Sequence, residues 1–206
     1  MPDLMPMIHA ERRSLADTLG GLTNEQWSQP TWCDKWNVQE VVGHLVAAAT
    51  ITAPHFFAGL IRTGFSFNRF VEGDLQKFAA GNPSDVLARF ESIITSTRKP
   101  PGPAYVALGE VMVHGEDIRR ALGLLGEHPK EHLVTLADLY KKTGPPLHGK
   151  RRSEGLRFVA TDTDWSSGEG PEVTGPTMSL ILALVGRSGA LVDLDGPGLE
   201  TLRLRC

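Results

Sequence analysis

Apolar residues recur at helical spacing through most of the first 145 residues, and this periodicity is the strongest constraint on the fold. Glycine and proline clusters divide it into helices expected at about residues 6–19, 37–62, 83–94, 104–122 and 129–142, with a weaker pattern at 65–80. Helices that each carry one apolar face must pack against one another to bury it. The sequence therefore predicts a helical bundle.

The pattern changes near residue 145. Residues 144–153 are rich in glycine, proline and basic residues, as is typical of a linker. Residues 155–161 alternate as a strand does, residues 176–185 form an apolar helical stretch, and residues 190–204 complete a small unit. The predicted fold class is thus α+β, with a helical bundle at residues 1–145 and a small carboxy-terminal α+β domain at residues 146–206.

Composition narrows the possible partners and setting. A net charge of -3 leaves no basic excess for nucleic-acid binding, and the short basic run 150–152 is more typical of a solvated linker. Two cysteines are too few for a disulfide framework, and the first residues lack the basic start and apolar core of a signal peptide. The longest apolar window, residues 41–53, is too short to cross a bilayer. We therefore expect a cytoplasmic protein without a nucleic-acid or membrane partner.

Three polar residues stand out because they lie in apolar helices. Glu110 and His114 are four residues apart and share one helical face, while His44 lies among valines and leucine in the helix predicted at residues 37–62. Buried ionisable groups are costly unless they are paired or bind a metal. Two imidazoles and a carboxylate are three ligands of a catalytic zinc site that leaves a fourth position open. The residues alone equally support a hydrogen bond between His44 and Glu110 without any metal.

Neighbouring residues suggest how His114 could be supported. Asp117 lies one turn further on and could accept a hydrogen bond from the imidazole, although Arg119 or Arg120 is an equally good partner for it. Glu116 is expected to face solvent. These assignments rest on helical spacing alone.

No common nucleophile motif competes with this cluster. The sequence contains no Gly-x-Ser-x-Gly, no phosphate-binding loop and no dinucleotide-binding glycine fingerprint. Cys33 lies between Trp32 and Trp36 in an ordered loop, so a packing role is favoured over that of a reactive thiol.

Several motifs together resemble a known family. They are Ala10–Arg12, Leu22–Trp27, Pro30–Val38, Val42–Leu45, His114–Ile118, Ala121–Gly123, Val173–Pro176 and Leu184–Arg187. In this pattern the chain resembles the mycothiol-dependent maleylpyruvate isomerases, whose first domain is a DinB-like, metal-binding four-helix bundle. The resemblance places the family's zinc ligands on His44, Glu110 and His114. It places a carboxy-terminal arginine implicated in activity on Arg187, although an arginine just beyond a helix is as easily a cap on the helix carbonyls or a surface charge.

The resemblance implies an enzyme that binds a divalent metal, expected to be Zn²⁺, and uses the small-molecule thiol mycothiol. A thiol bound to such a cation would be deprotonated, and the thiolate could add to the double bond of an unsaturated acid so that the bond rotates. Arg187 could bind a carboxylate of the substrate. The same thiol could instead be transferred to another electrophile. Two other classes stay open, a non-catalytic binding or regulatory protein and a metallohydrolase that uses water.

Overall fold

Helices dominate the amino-terminal part of the chain. The computed structural model describes residues 3–33, 35–145 and 147–206, and for Phe67 and Asn68 it describes only the backbone. The first of two units, Met1–Gly126, contains α1 (Met5–Gly20), α2 (Asn24–Trp27), α3 (Val38–Thr50), α4 (Ala53–Arg62), α5 (Phe67–Ala79), α6 (Pro83–Ser92) and α7 (Ala104–Ala121).

Four of these helices, α1, α3, α6 and α7, pack around one apolar core, and α5 packs on α3. Fully buried side chains fill the core, among them Ile8, Leu15, Val41, Val42, Phe90, Leu108 and Met112. The helix starts follow from the sequence, since α3 and α6 each begin with a capping box on an asparagine. The core fixes α3 and α7 side by side, and these two helices carry the three polar residues singled out above.

The helix predicted at residues 37–62 is in fact two helices. The chain leaves helical geometry at Ile51, and the Thr52 side chain accepts a hydrogen bond from the backbone N–H of His55 at the start of α4. Pro54 occupies the first turn of α4, where its missing N–H costs nothing. The prediction of one continuous helix was therefore wrong, because a threonine cap followed by proline starts a new helix.

The second unit, Glu127–Cys206, is built on a small sheet. Its elements are α8 (Lys130–Tyr140), α9 (Gly149–Ser153), β1 (Arg157–Ala160), β2 (Ser166–Ser167), β3 (Glu172–Gly175), α10 (Thr177–Leu184), a 3₁₀ helix (Ser188–Asp193) and α11 (Leu199–Arg203). β1 is the central strand, antiparallel to β2 and parallel to β3, with Phe158 opposite Val173. Both of these side chains are buried, and α10 packs on the same strands. Residues 162–175, which follow β1 and are rich in turn-forming residues, thus supply the two strands β2 and β3.

The second unit begins earlier than the boundary expected after residue 145. Helix α8 packs on α10, which places it with the sheet and not with the bundle. The segment expected to be a linker contains α9, and the Arg152 guanidinium donates to the backbone carbonyls of Leu184 and Arg205, each at 3.1 Å. This arginine is therefore a structural part of the second unit and not a solvated linker charge.

The predicted α+β class is confirmed, with a helical bundle followed by a small unit that holds a three-stranded sheet. Among the described residues, no helix combines the length and the apolar character that crossing a membrane requires.

Candidate metal centre

The structure brings together the three side chains that the sequence singled out. His44 projects from α3, and Glu110 and His114 project from successive turns of α7. The Nε2 atom of His44 lies 2.7 Å from Oε2 of Glu110, and Nε2 of His114 lies 3.6 Å from the same oxygen. One possible ligand atom from each of the three residues lies within 4.8 Å of the other two. This is the cluster expected from the sequence, and metal binding by it stays a prediction.

The position of His44 is set by the packing of α3. Asn37 and Glu40 form the capping box that starts the helix, so His44 falls in its second turn. Gly43 lets α5 approach closely, because a Cβ atom at this position would lie 2.7 to 2.9 Å from atoms of Ala79. Such distances are shorter than a carbon contact allows, so only glycine fits here without a shift of one helix. Gly43, the residue before His44, therefore permits the close packing of α3 against α5 that positions His44.

Asp117 holds the ring of His114. Its Oδ2 atom lies 3.0 Å from Nδ1 of His114, and its side chain has no exposed surface. The carboxylate accepts the Nδ1–H, which leaves Nε2 turned toward Glu110. The sequence left open whether Asp117 pairs with His114 or with an arginine, and the structure shows the contact with His114.

The same surroundings favour a positive charge on His114. Burial lowers the pKa of the imidazole, but hydrogen bonds to Asp117 and Cys33 and the charges of Glu110 and Asp117 outweigh it and raise the pKa to about 10. A cation bound at Nε2 would take the place of the second ring proton. The carboxylates of Glu110 and Asp117 thus stabilise a positive charge at His114.

Glu116 does not face solvent, and that expectation was wrong. Its side chain is 2% exposed. One carboxylate oxygen lies 3.5 Å from a guanidinium nitrogen of Arg119, and the other lies 3.1 Å from Nε of Arg120. Arg119 in turn donates to the hydroxyls of Ser14 and Thr18 on α1. The hydrogen bonds of Arg119 connect α7 to α1, and Glu116 pairs with this arginine within α7. Glu116 therefore has a structural role and is not one of the candidate ligands.

The loop before α3 lies against the turn of α7 that carries His114. The backbone N–H of Trp32 donates to the carbonyl of Asp117 at 3.0 Å, and the guanidinium of Arg120 lies 5.5 Å from the Trp32 ring centroid. The ring of Trp36 lies 4.9 Å from the ring of His44. The loop therefore shields one side of the cluster, with Asp34 outside the described residues.

Cys33 lies in this loop, and sequence reasoning missed its position. Its sulfur lies within 4.8 Å of a carboxylate oxygen of Asp117 and a ring nitrogen of His114. The packing role favoured from the sequence is therefore incomplete, because the thiol lies close to a candidate metal ligand. The two tryptophans that fix the loop were the available signal, but they do not say which helix the loop meets.

Access to the cluster differs on its two sides. The Glu110 side chain is 30% exposed, compared with 14% for His44 and 11% for His114. Toward the interior of the bundle, Glu110 lines a cavity of about 10 Å³, which is at the lower limit for a single water molecule. Glu110 is therefore the most exposed of the three side chains, and the cluster is most accessible beside it.

Arg187, the arginine suggested by the resemblance, lies in the second unit at the start of the 3₁₀ helix. It is half-buried, its backbone N–H donates to the carbonyl of Leu182, and its own carbonyl accepts from Ala190. Its role in activity stays a prediction.

The fold and the cluster together define a helical-bundle domain with a candidate metal centre, followed by a small α+β unit. Residues 8–100 match the family model of the mycothiol maleylpyruvate isomerase N-terminal domain. This part of the chain matches that family's amino-terminal domain, and the resemblance seen in the sequence is confirmed. The matched residues include His44 and the loop before α3, but α7 with Glu110 and His114 lies beyond them.

Two solved structures are similar over nearly the whole chain. One is a histidine-to-alanine variant of the mycothiol-dependent maleylpyruvate isomerase, with a TM-score of 0.66, and the other is the mycothiol-dependent maleylpyruvate isomerase itself, with a TM-score of 0.60. Each is 13% identical in sequence, and each alignment covers 94% of this chain and 91% of the other. At this identity the likeness establishes the fold. No curated protein matches the sequence.

Proposed function

We propose that this protein is a metal-dependent enzyme that uses mycothiol, a low-molecular-weight thiol, as a nucleophile toward an electrophilic small molecule. The observation that carries the proposal is the convergence of His44, Glu110 and His114 in a bundle whose first part matches the model of the mycothiol maleylpyruvate isomerase N-terminal domain. The reaction to test first is the cis–trans isomerisation of maleylpyruvate. A cytoplasmic setting and small-molecule partners, without nucleic acid or membrane, belong to the same proposal.

The donor atoms suit a divalent cation. Two imidazole nitrogens and one carboxylate oxygen are a common ligand set for catalytic zinc, and the three donors can surround one ion because they lie within 4.8 Å of one another. When bound, the cation would supply an open coordination position and lower the pKa of a thiol that reaches it. His44, Glu110 and His114 would hold it, and Asp117 would keep the His114 ring in place.

The protein's own side chains would control access and proton position around the thiol. The ring of Trp36 covers His44, so the thiol would enter beside Glu110, where the cluster is most exposed. Asp117 accepts the Nδ1–H of His114 in the fold, which reserves Nε2 for the side that faces Glu110. Arg187, proposed from the resemblance, would bind a carboxylate of the substrate through its guanidinium.

The proposed reaction neither oxidises nor reduces the substrate. The thiolate would form a carbon–sulfur bond at one carbon of the cis double bond, and the electron pair of that bond would move toward the adjacent carbonyl. The remaining single bond would rotate. Expulsion of the thiolate would then restore the double bond in the trans geometry. Protonation of the adduct before expulsion would instead give a stable conjugate, which is the thiol-transfer version of the same chemistry.

Metal content and isomerisation of a few variants test the proposal. Protein purified without an affinity tag should hold one divalent cation per chain and isomerise maleylpyruvate only when mycothiol is added. His44→Ala should lose the cation and at least about 100-fold of the activity. His55→Ala is the matched control, because His55 pairs with Asp74 at 2.9 Å in the same unit but is not one of the candidate ligands.

The outcomes separate the alternatives. A wild-type protein that holds no stoichiometric cation, with a His44→Ala variant as active as His55→Ala, would refute the metal-dependent reading and favour a binding or regulatory protein. Turnover of ester or amide substrates without any thiol would favour a metallohydrolase. Formation of a stable thiol conjugate without a trans product would assign the protein as a thiol transferase.

A further inference from the structure

His114 belongs to two groups of possible metal ligands and not to one. The first is the cluster with His44 and Glu110, and the second joins His114 to Cys33 and Asp117. In the second group, too, one possible ligand atom of each residue lies within 4.8 Å of the others. The carboxylate of Asp117 already contacts Nδ1 of His114 at 3.0 Å, and the sulfur of Cys33 lies within 4.8 Å of a nitrogen of the same ring.

We propose that Cys33, His114 and Asp117 form a second cation position, selective for soft divalent ions such as Cd²⁺ or Zn²⁺ in excess. The proposal does not depend on the thiol chemistry of the proposed function. It depends on the donors, which are one sulfur, one imidazole nitrogen and one carboxylate oxygen. Thiolate ligands favour soft ions over Mg²⁺, Ca²⁺ or Mn²⁺, which prefer oxygen.

The charges of this group match a dication. A thiolate and a carboxylate together carry two negative charges, whereas the cluster with His44 and Glu110 supplies one. Asp117 has no exposed surface and His114 is 11% exposed, so an ion held here would be largely removed from water, where full charge compensation matters most. Cys33 is half-buried, which leaves the loop side as the entry path.

The loop that carries the thiol is held in place before any ion arrives. The hydrogen bond from the Trp32 N–H to the Asp117 carbonyl ties the residue next to Cys33 to the same helical turn that carries His114 and Asp117. A ligand set that is already in position loses little conformational entropy on binding. Because a neutral imidazole offers one free ring nitrogen, His114 can serve one cation at a time. The second position therefore competes with the proposed catalytic one for this side chain.

Ultraviolet absorption from a metal–thiolate bond reports the second position directly. Metal-free protein titrated with Cd²⁺ should develop a thiolate-to-cadmium band, and Cys33→Ser should lose it. Cys206→Ser is the matched control, since Cys206 is the chain's other cysteine, lies in the second unit and has its sulfur 3.4 Å from the Ala183 carbonyl. His44→Ala should keep the band, which separates this proposal from the proposed function.

A measurement on the wild-type chain avoids any doubt about folding of the variants. Cd²⁺ should slow alkylation of Cys33 by iodoacetamide at least about tenfold, read by mass spectrometry, while alkylation of Cys206 in the same sample serves as the internal reference. Equal alkylation of Cys33 with and without Cd²⁺ would overturn the proposal. So would a thiolate band that survives in Cys33→Ser, or one that disappears in His44→Ala.

Discussion

Cation binding to the His44, Glu110 and His114 cluster should weaken steeply as the pH falls. In the metal-free fold the pKa of His114 is raised from 6.5 to about 10, because its hydrogen bonds to Asp117 and Cys33 and the charges of Glu110 and Asp117 outweigh the effect of burial. At pH 7 an incoming cation must therefore displace a proton. Three pH units below that pKa, the displacement costs on the order of 4 kcal/mol, or about 1000-fold in affinity.

The expected profile has a definite slope. Between about pH 7 and pH 9 the apparent association constant should rise about tenfold per pH unit, and it should level off near pH 10.

The raised pKa of His114 affects the stability of the metal-free protein in the opposite direction, because this stability should fall as the pH rises. A group whose pKa is raised by folding stabilises the fold below its unfolded pKa, so this contribution should be lost as the pH rises from about 6.5 through 10.

Competition with a chelator of known pH dependence gives the affinity at each pH. Calorimetry in two buffers with different ionisation enthalpies counts the protons released per cation, and about one is expected at pH 7.5. His55→Ala should reproduce the wild-type profile, because His55 is not one of the candidate ligands. An affinity that stays constant between pH 7 and pH 9, or binding without proton release, would refute the reasoning.

Three substitutions test the surroundings of the cluster. Asp117→Asn should weaken cation binding about 10- to 100-fold by removing the carboxylate that orients a ligand, whereas Asp74→Asn, which alters the pair of Asp74 with His55, should leave it unchanged in the same chelator assay. Gly43→Ala should lower the free energy of unfolding by about 1 to 3 kcal/mol in urea titrations, while Gly73→Ala, with open space around the added methyl, should be neutral or stabilising. Glu116→Gln should cost about 3 to 5 kcal/mol by removing the buried charge that pairs with Arg119 and Arg120, and a loss below about 1 kcal/mol would contradict the structural role given to this residue.

Much of the cluster could be predicted because its signal is local. Glu110 and His114 share a face through helical spacing, and apolar neighbours mark His44 as a polar residue in a buried setting. The spacing could not decide between a bare hydrogen bond and a metal centre, because both place His44 beside Glu110. The break before α4 was also readable in principle, since Thr52 and Pro54 are a cap and a first-turn proline.

The features that were missed depend on contacts between segments far apart in the chain. Glu116 was expected to be exposed because the prediction used only its position on its own helix. In the structure, hydroxyls of α1 accept hydrogen bonds from Arg119, the buried partner of Glu116. Helix α8 packs on α10, a partner far along the sequence that the apolar pattern of α8 does not identify. Periodicity shows that a helix has an apolar face, but it does not name the surface that the face will cover.

The turn of α7 from His114 to Asp117 makes three interactions, and together they account for the position of Cys33. His114 supplies a possible ligand atom, the Asp117 side chain holds its ring, and the Asp117 carbonyl accepts the N–H of Trp32. The hydrogen bond from Trp32, the residue next to Cys33, restricts where the thiol can lie. In the same loop, the ring of Trp36 packs against the ring of His44. A change that lifts the loop should therefore disturb both candidate cation positions together. A change at His44 should disturb only the first, and this difference makes the two positions separable by experiment.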